Sequence, residues 1–254
     1  MLQENSDKHG AKLEEIALNY HAGVLADMWI EKAGQDFEWP WIQSQIHDNS
    51  RVLDLGYGDG HSFFNLRAIA EQKNLTITLV EGAATLVEAA RGEATIRIEV
   101  IQDFFETYSA RQDFDVIIAS HVLEHVDSPV QLLKHLATLL SPTGVMVGIV
   151  PNRESIHRRL AVTMGIQPEL DTLSPRDVIV GHQRVYSMDT LKNDFLSAGW
   201  TIIEMKGYFL KPFSNSQLIP LGEEVIQSLL EISAEVPAEF CANLGFVATP
   251  NLKG

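Results

Sequence analysis

The residues with the clearest capacity for chemistry lie in VLDLGYGDG, Val52 to Gly60. An apolar run leads there into Gly56, Gly58 and Gly60, the pattern of a strand entering a turn that opens a helix. Backbone N–H groups at such a helix start face a ligand. Dinucleotide sites use G-x-G-x-x-G, whereas this turn reads G-x-G-x-G, with His61 in the place of the third dinucleotide glycine. Asp54, two residues before the first glycine, would repel a pyrophosphate and attract an ammonium. Tyr57 stands between two glycines, so its ring must leave the turn, toward the ligand and acceptor or toward an N-terminal helix.

Two further strand ends carry matching chemistry. Glu81 follows LTITLV, 21 positions beyond Gly60, the distance at which an acidic residue accepts from a ribose diol. IQDFFE places Asp103 and Phe104 after a third strand, where a carboxylate can accept from an adenine amino group and a ring can pack on the base. Open α/β sheets bind ligands at the carboxyl ends of their strands, so the three ends converge on one crevice. A nucleoside with an amino-acid tail and no phosphates fits all of them, and S-adenosylmethionine has that composition.

Histidine suits proton transfer near neutral pH, and the chain has 9. His121 follows the apolar run FDVIIAS, at a strand end in the same crevice, and is the first acceptor-side candidate. In GHQRVY, His182, Arg184 and Tyr186 alternate, which in an extended segment puts them on one pocket wall. His182 is then a candidate general base and Arg184 an anchor for an acceptor carboxylate or phosphate. His121, Glu124 and His125 also have the i, i+3, i+4 spacing that on a helix presents metal ligands. The same string serves without metal elsewhere, so no metal is expected, and His125 is read as structural.

These groups need a scaffold. From residue 51 strand-like and helix-like segments alternate: RVLDL, then His61 to Gln72; LTITLV, then Ala83 to Arg91; IRIEVI; FDVIIAS, then Pro129 to Leu140; and GVMVGIV. That alternation predicts βαβ units, and the near-continuous apolar strands predict a parallel sheet covered on both faces. Asp127 or Ser128 is placed to cap the helix that Pro129 opens. WTIIEMKGYFL and FCANLGFVAT read as two later strands. Before the sheet, Leu13, Ile16, Ala17, Tyr20, Val24, Leu25 and Met28 recur at helical spacing, which reads as an amphipathic helix within a helical cap, residues 1–45; core packing explains that periodicity most simply, and Tyr20 is carried as a candidate substrate contact. Phe37, Trp39 and Trp41 read as a hydrophobic patch. Residues 46–254 form the main domain, within which 152–197 is basic (Arg153, Arg158, Arg159, Arg176, Arg184, Lys192) and reads as an insertion beside the acceptor.

A chain of 254 residues with 45% hydrophobic side chains can bury the core this requires. A net charge of −15, from 34 acidic and 19 basic residues, argues against nucleic acid or an anionic membrane as partner. The single cysteine, Cys241, excludes an internal disulfide, and no apolar run approaches the length of a bilayer span. A cytoplasmic location follows as the expectation, with a homodimer left open.

VLDLGYGDG, VEGA, QDFF and DVIIASHVLEHVDSPVQLLKHLATLLSPTGVMVGIVPN together resemble the successive motifs of class I S-adenosylmethionine-dependent methyltransferases, small-molecule branch, over about residues 50–152. The resemblance implies that Asp54, Gly56 and Gly58, with Tyr57 between them, hold the methionine portion. It puts the ribose on Glu81 beside Gly82, the adenine on Asp103 and Phe104, and the methionine tail or acceptor against Ser120 and His121. It implies an α/β, Rossmann-like sheet of seven strands, mostly parallel with an antiparallel last strand, an N-terminal helical lid and an insertion after strand five. The activity implied is methyl transfer from S-adenosylmethionine to an oxygen or nitrogen of a small molecule or short peptide, with the basic insertion favouring an anionic group on it. Aminocarboxypropyl or aminopropyl transfer, or a cofactor-binding subunit without catalysis, would use the same fold.

Overall fold

The computed structural model describes residues 10–18 and 28–251. Seven strands form one sheet in the order β3-β2-β1-β4-β5-β7-β6. They are β1 Arg51–Leu55, β2 Thr76–Glu81, β3 Ile98–Gln102, β4 Phe114–Ser120, β5 Leu140–Pro151, β6 Trp200–Tyr208 and β7 Asn243–Pro250. β1 to β5 pair in parallel, and β7 runs antiparallel between β5 and β6. The α/β sheet and its antiparallel last strand are therefore as the sequence predicts.

Side-chain alternation along each strand splits the core into two layers. Val116, Ile118, Val147 and Ile149 face α2 (Met28–Ser44), α3 (His61–Ile69) and α4 (Ala84–Glu93). Ile117, Ala119, Met146 and Val150 face α5 (Pro129–Leu136) and α8 (Met188–Ser197). Gly148 marks the tightest point, since a Cβ there would stand 2.3 Å from the Ala119 carbonyl oxygen and 2.6 Å from the Phe246 ring. The buried Trp200 indole donates to the Leu133 carbonyl at 2.9 Å and ties β6 to α5.

Several elements differ from the sequence reading. Residues 10–18 (α1) are helical, while Tyr20, Val24 and Leu25 of the expected single helix lie outside the described residues. Phe37, Trp39 and Trp41 belong to α2; Trp39 and Trp41 are buried, and Phe37 and Trp41 pack on Tyr208. Ser128 occupies the N-cap of α5 without a side-chain bond, leaving Pro129 as the element that fixes the start. The last 10 residues of the expected insertion are α8, whose Leu191 and Phe195 are core residues; a crossover helix between β5 and β6 is what the sheet topology requires there. Between β6 and β7 the chain adds α9 (Asn215–Leu218) and α10 (Glu223–Glu231), which enclose a third small core of Ile30, Phe209, Leu218, Ile226 and Leu230. Residues 211–240 gave no clear pattern because short helical turns packed on α2 have too few residues to show a period.

Candidate active site

The carboxyl ends of β1, β2, β3 and β4 open into one cavity of about 1290 Å³. A pocket for one small ligand is usually about 300–1,000 Å³. The volume suits two molecules side by side.

At one end lies the glycine turn. Gly56, Gly58 and Gly60 have φ of 84°, 53° and 85°, and the turn they allow brings the Tyr57 N–H to Glu81 Oε2 at 2.9 Å. Glu81 Oε1 accepts the Ala83 N–H at 2.7 Å. Each carboxylate oxygen has two lone pairs, so Glu81 holds the β1 and β2 ends together and keeps one acceptor site per oxygen for a ligand diol. Burial pushes the Glu81 carboxyl above its usual range, partly offset by these N–H bonds. Gly82 lies under the lid: a Cβ there would stand 2.6 Å from Leu13 of α1 and 3.3 Å from the Phe104 ring. Asp103 and Phe104 line the same wall, with Asp103 Oδ1 accepting the Phe104 N–H and the Thr107 hydroxyl, both at 2.8 Å. α1 closes this end through Lys12, Leu13, Ile16 and Ala17, and Glu14 accepts the Thr85 hydroxyl at 2.7 Å.

Two residues of VLDLGYGDG take places the sequence left open. Asp54 is 2% exposed, lies beneath the turn rather than on the cavity wall, and its Oδ2 has no hydrogen-bond partner among the described residues. Burial alone raises its carboxyl to about 8. Tyr57 reaches the cavity but sends its ring against Phe63 and Phe64 of α3, with centroids 5.3 and 6.3 Å away.

At the other end, Ser120, His121 and His125 follow β4, and His182 comes from the loop after α7 (Pro175–Ile179). Residues 121–126 form turns, not a helix, and His121 has a left-handed φ of 54°. His121 Nδ1 lies 3.0 Å from Glu124 Oε1, and His182 Nε2 lies 3.9 Å from the same oxygen. The His125 and His182 rings stand edge to face at 4.7 Å. His182 Nδ1 is 2.9 Å from Asp177 Oδ1, and Arg158 donates to Asp177 Oδ2 at 2.7 Å. Burial opposes charge on His121, but the Glu124 bond and charge, with Glu38 and Glu31, push it up to about 9. Burial, with the positive neighbours His182 and His121, takes His125 down to about 4 despite Glu124. Asp177 is held well below the usual carboxylate range because His182 and Arg158 outweigh its burial.

The alternation expected of GHQRVY does not hold. His182 faces the cavity, whereas Arg184 donates to the carbonyls of Leu123 and Val126, and Tyr186 is buried with its hydroxyl directed to the Leu123 carbonyl and Asp194. A bridge from Asn152 to Tyr186 pins the segment to the end of β5, and that tertiary pairing sets its facing. Three more basic side chains of this region have internal partners: Arg158 pairs with Asp177, Arg159 donates to the Glu154 carbonyl and Arg176 pairs with Glu31.

Sequence reasoning missed Glu38, His157, Arg158 and Asp177, all on the cavity wall. Glu38 is 2% exposed, and one of its oxygens accepts from Asn243 at 2.7 Å. The capping box of Ser174 and Asp177 was a legible signal of a helix start, but nothing local reveals that Arg158 reaches it. Around these polar groups Leu160, Ala161, Met164, Ile166, Leu173 and Phe213 give the acceptor end an apolar wall.

A match to the methyltransferase domain family runs over residues 33–205, more than half of the chain, and the protein belongs to that family. Its class is that of the S-adenosylmethionine-dependent methyltransferases. The chain is 26% identical over 171 residues to the mitochondrial ubiquinone biosynthesis O-methyltransferase of Schizosaccharomyces pombe, covering 64% of this chain and 59% of that protein. With the ubiquinone biosynthesis O-methyltransferase of Xanthomonas axonopodis pv. citri it shares 30% identity over 173 residues, 63% of this chain and 68% of the other. An S-adenosylmethionine-dependent methyltransferase from Mesorhizobium loti has the same fold, with a TM-score of 0.59 at 16% identity, over 85% of this chain and 99% of that one. Among the described residues no helix is long and apolar enough to cross a membrane.

Proposed function

We propose that the protein transfers the methyl group of S-adenosylmethionine to an oxygen of a small, largely apolar molecule. The observation that carries the reading is the single cavity with two chemically different ends: the glycine turn with Glu81 and Asp103, and the histidine cluster set in an apolar wall. S-adenosylmethionine fits the first end. Glu81 has acceptor capacity left for the ribose hydroxyls, Asp103 and Phe104 lie where the base would stack, and no basic side chain is needed because the cofactor carries no phosphate. Asp54 does not touch the amino-acid tail: it is sealed beneath the turn, and burial keeps its carboxyl protonated up to about pH 8, so it forms a neutral floor under that end.

The acceptor then lies against Ser120, His121 and His182. Its oxygen lone pair attacks the methyl carbon in line with the departing sulfur, the C–S bonding pair returns to sulfur, and S-adenosylhomocysteine leaves as a neutral thioether. The hydroxyl proton passes to solvent water, so the products are the methyl ether, S-adenosylhomocysteine and one proton. Enclosure by α1 and by the segment containing α7 keeps bulk water from competing for the sulfonium methyl. Oxygen is preferred to nitrogen because the curated relatives are O-methyltransferases, and an apolar acceptor because of Leu160, Met164, Ile166 and Phe213.

The test is a mass-resolved screen of a small-molecule extract with methyl-labelled S-adenosylmethionine. A product heavier by one labelled methyl, formed one-to-one with S-adenosylhomocysteine, is expected. A product carrying an aminocarboxypropyl group instead would replace the reaction, and absence of S-adenosylhomocysteine binding would remove the reading.

A further inference from the structure

The proposed reaction needs a group that orients the acceptor oxygen, and the cluster beyond the methionine end has more donor capacity than hydrogen bonding uses. Glu124 is 0% exposed; His121 engages its Oε1, and its Oε2 has no partner among the described residues. A buried carboxylate oxygen left in this way is costly, roughly 1–3 kcal/mol or more for a charged group. Glu124, His125 and His182 each offer a ligand atom, and these atoms lie within 4.8 Å of one another.

The surroundings have the form of a metal centre's outer shell. Asp177 at 2.9 Å from His182 Nδ1 holds the proton on that nitrogen, which turns the Nε2 lone pair toward Glu124. Arg158 and the Ser174 N–H, both at 2.7 Å from Asp177 Oδ2, hold the carboxylate in turn. His125 and His182 line the cavity while Glu124 is sealed behind them, so coordination positions would open only toward the acceptor.

We propose that Glu124, His125 and His182 bind one divalent cation at the acceptor end of the cavity. Two imidazoles and one carboxylate suit Mn²⁺, Fe²⁺, Co²⁺ or Zn²⁺ better than the all-oxygen shells that Ca²⁺ prefers. Three protein ligands leave positions for exchangeable oxygen donors, as in catalytic rather than structural sites. The ion's role toward an acceptor oxygen rests on the methyl-transfer reading; its binding does not. The i, i+3, i+4 spacing of His121, Glu124 and His125 shows only part of this ligand set, since His182 lies 57 positions beyond His125.

The test uses the full chain stripped with chelator, then titrated separately with Mn²⁺ (free-ion electron paramagnetic resonance), Co²⁺ (visible absorbance) and Zn²⁺ (competition with a chromophoric chelator). One equivalent of at least one ion is expected, with Co²⁺ giving absorption bands of nitrogen–oxygen coordination. Glu124→Gln, His125→Gln and His182→Gln should each weaken binding at least 10-fold, and Asp177→Asn about 10-fold through the outer shell. S-adenosylhomocysteine affinity, measured in parallel, should stay within twofold in each variant that folds. Absence of stoichiometric binding of all three ions by the wild-type chain overturns the proposal, as does binding that survives in every variant retaining S-adenosylhomocysteine. Failure of S-adenosylhomocysteine to bind while the ion does would instead strike the methyl-transfer reading alone.

Discussion

Asp54 is the residue whose meaning changed most. From sequence it is a carboxylate in an apolar strand beside a ligand; in the fold it is sealed under the glycine turn and raised to about 8 by burial. Between about pH 4 and pH 8 the folded chain keeps a proton that the unfolded chain has released, so this residue's contribution to stability falls as pH rises through that window. Asp54→Asn, neutral at every pH, should gain on the wild type by up to about 1.4 kcal/mol per pH unit there. Urea unfolding of both proteins at pH 5 and pH 8 measures it; a difference that stays constant would show that Asp54 is already ionised in the fold. Tyr57 also departs from its simplest reading, since its ring stacks on α3 at the edge of the cavity, and Tyr57→Phe should leave cofactor affinity within about twofold.

At the scale of elements, the segment between β5 and α8 is held by one buried ion pair more than by apolar contact. Arg158 is 6% exposed and donates to Asp177 and to the carbonyls of Leu170 and Thr172, fastening α6 (Ile156–Thr163) to the loop that leads into α7. Removing one partner of such a pair costs roughly 3–5 kcal/mol, because the other charge stays buried alone. Arg158→Ala should therefore raise amide hydrogen exchange across residues 165–182 by at least 10-fold while peptides of β1, β4 and β5 keep their protection. Equal acceleration everywhere would mean that this segment unfolds only with the sheet. The strands were legible in sequence as short, near-continuous apolar runs, and α3, α4 and α5 as the helix-like segments that alternate with them. α9 and α10 were not, since their burial depends on α2.

For the whole molecule, the cavity joins parts distant in sequence: α1, the β1 and β2 ends, and the histidine cluster. A ligand held by the native state alone stabilises it by RT ln(1 + [L]/Kd), about 2.7 kcal/mol at 100 times Kd. S-adenosylhomocysteine should accordingly raise the midpoint of thermal unfolding by several degrees, and NAD should not. In Glu81→Gln the rise should fall to a fraction of that, because one backbone-anchored carboxylate oxygen becomes an amide donor facing an N–H. Differential scanning calorimetry with saturating ligand checks both, and an undiminished shift in Glu81→Gln would place the cofactor elsewhere.

The sequence by itself determined the sheet, the glycine turn and the acidic strand ends, because each rests on interactions among residues near in the chain or on the short, near-continuous apolar runs of strands buried on both faces. Only the tertiary structure decided the acceptor end. Whether Arg184 and Tyr186 joined His182 on one wall depended on the pairing of Asn152 with Tyr186, and whether HVLEH could gather a third imidazole depended on how the loop after α7 returned over β4. Such contacts connect segments some 30 to 60 positions apart. Their residue types carry no period, so the same side chains would read alike on a solvated loop; it is the closure of the fold around Glu124 that turns them into a site.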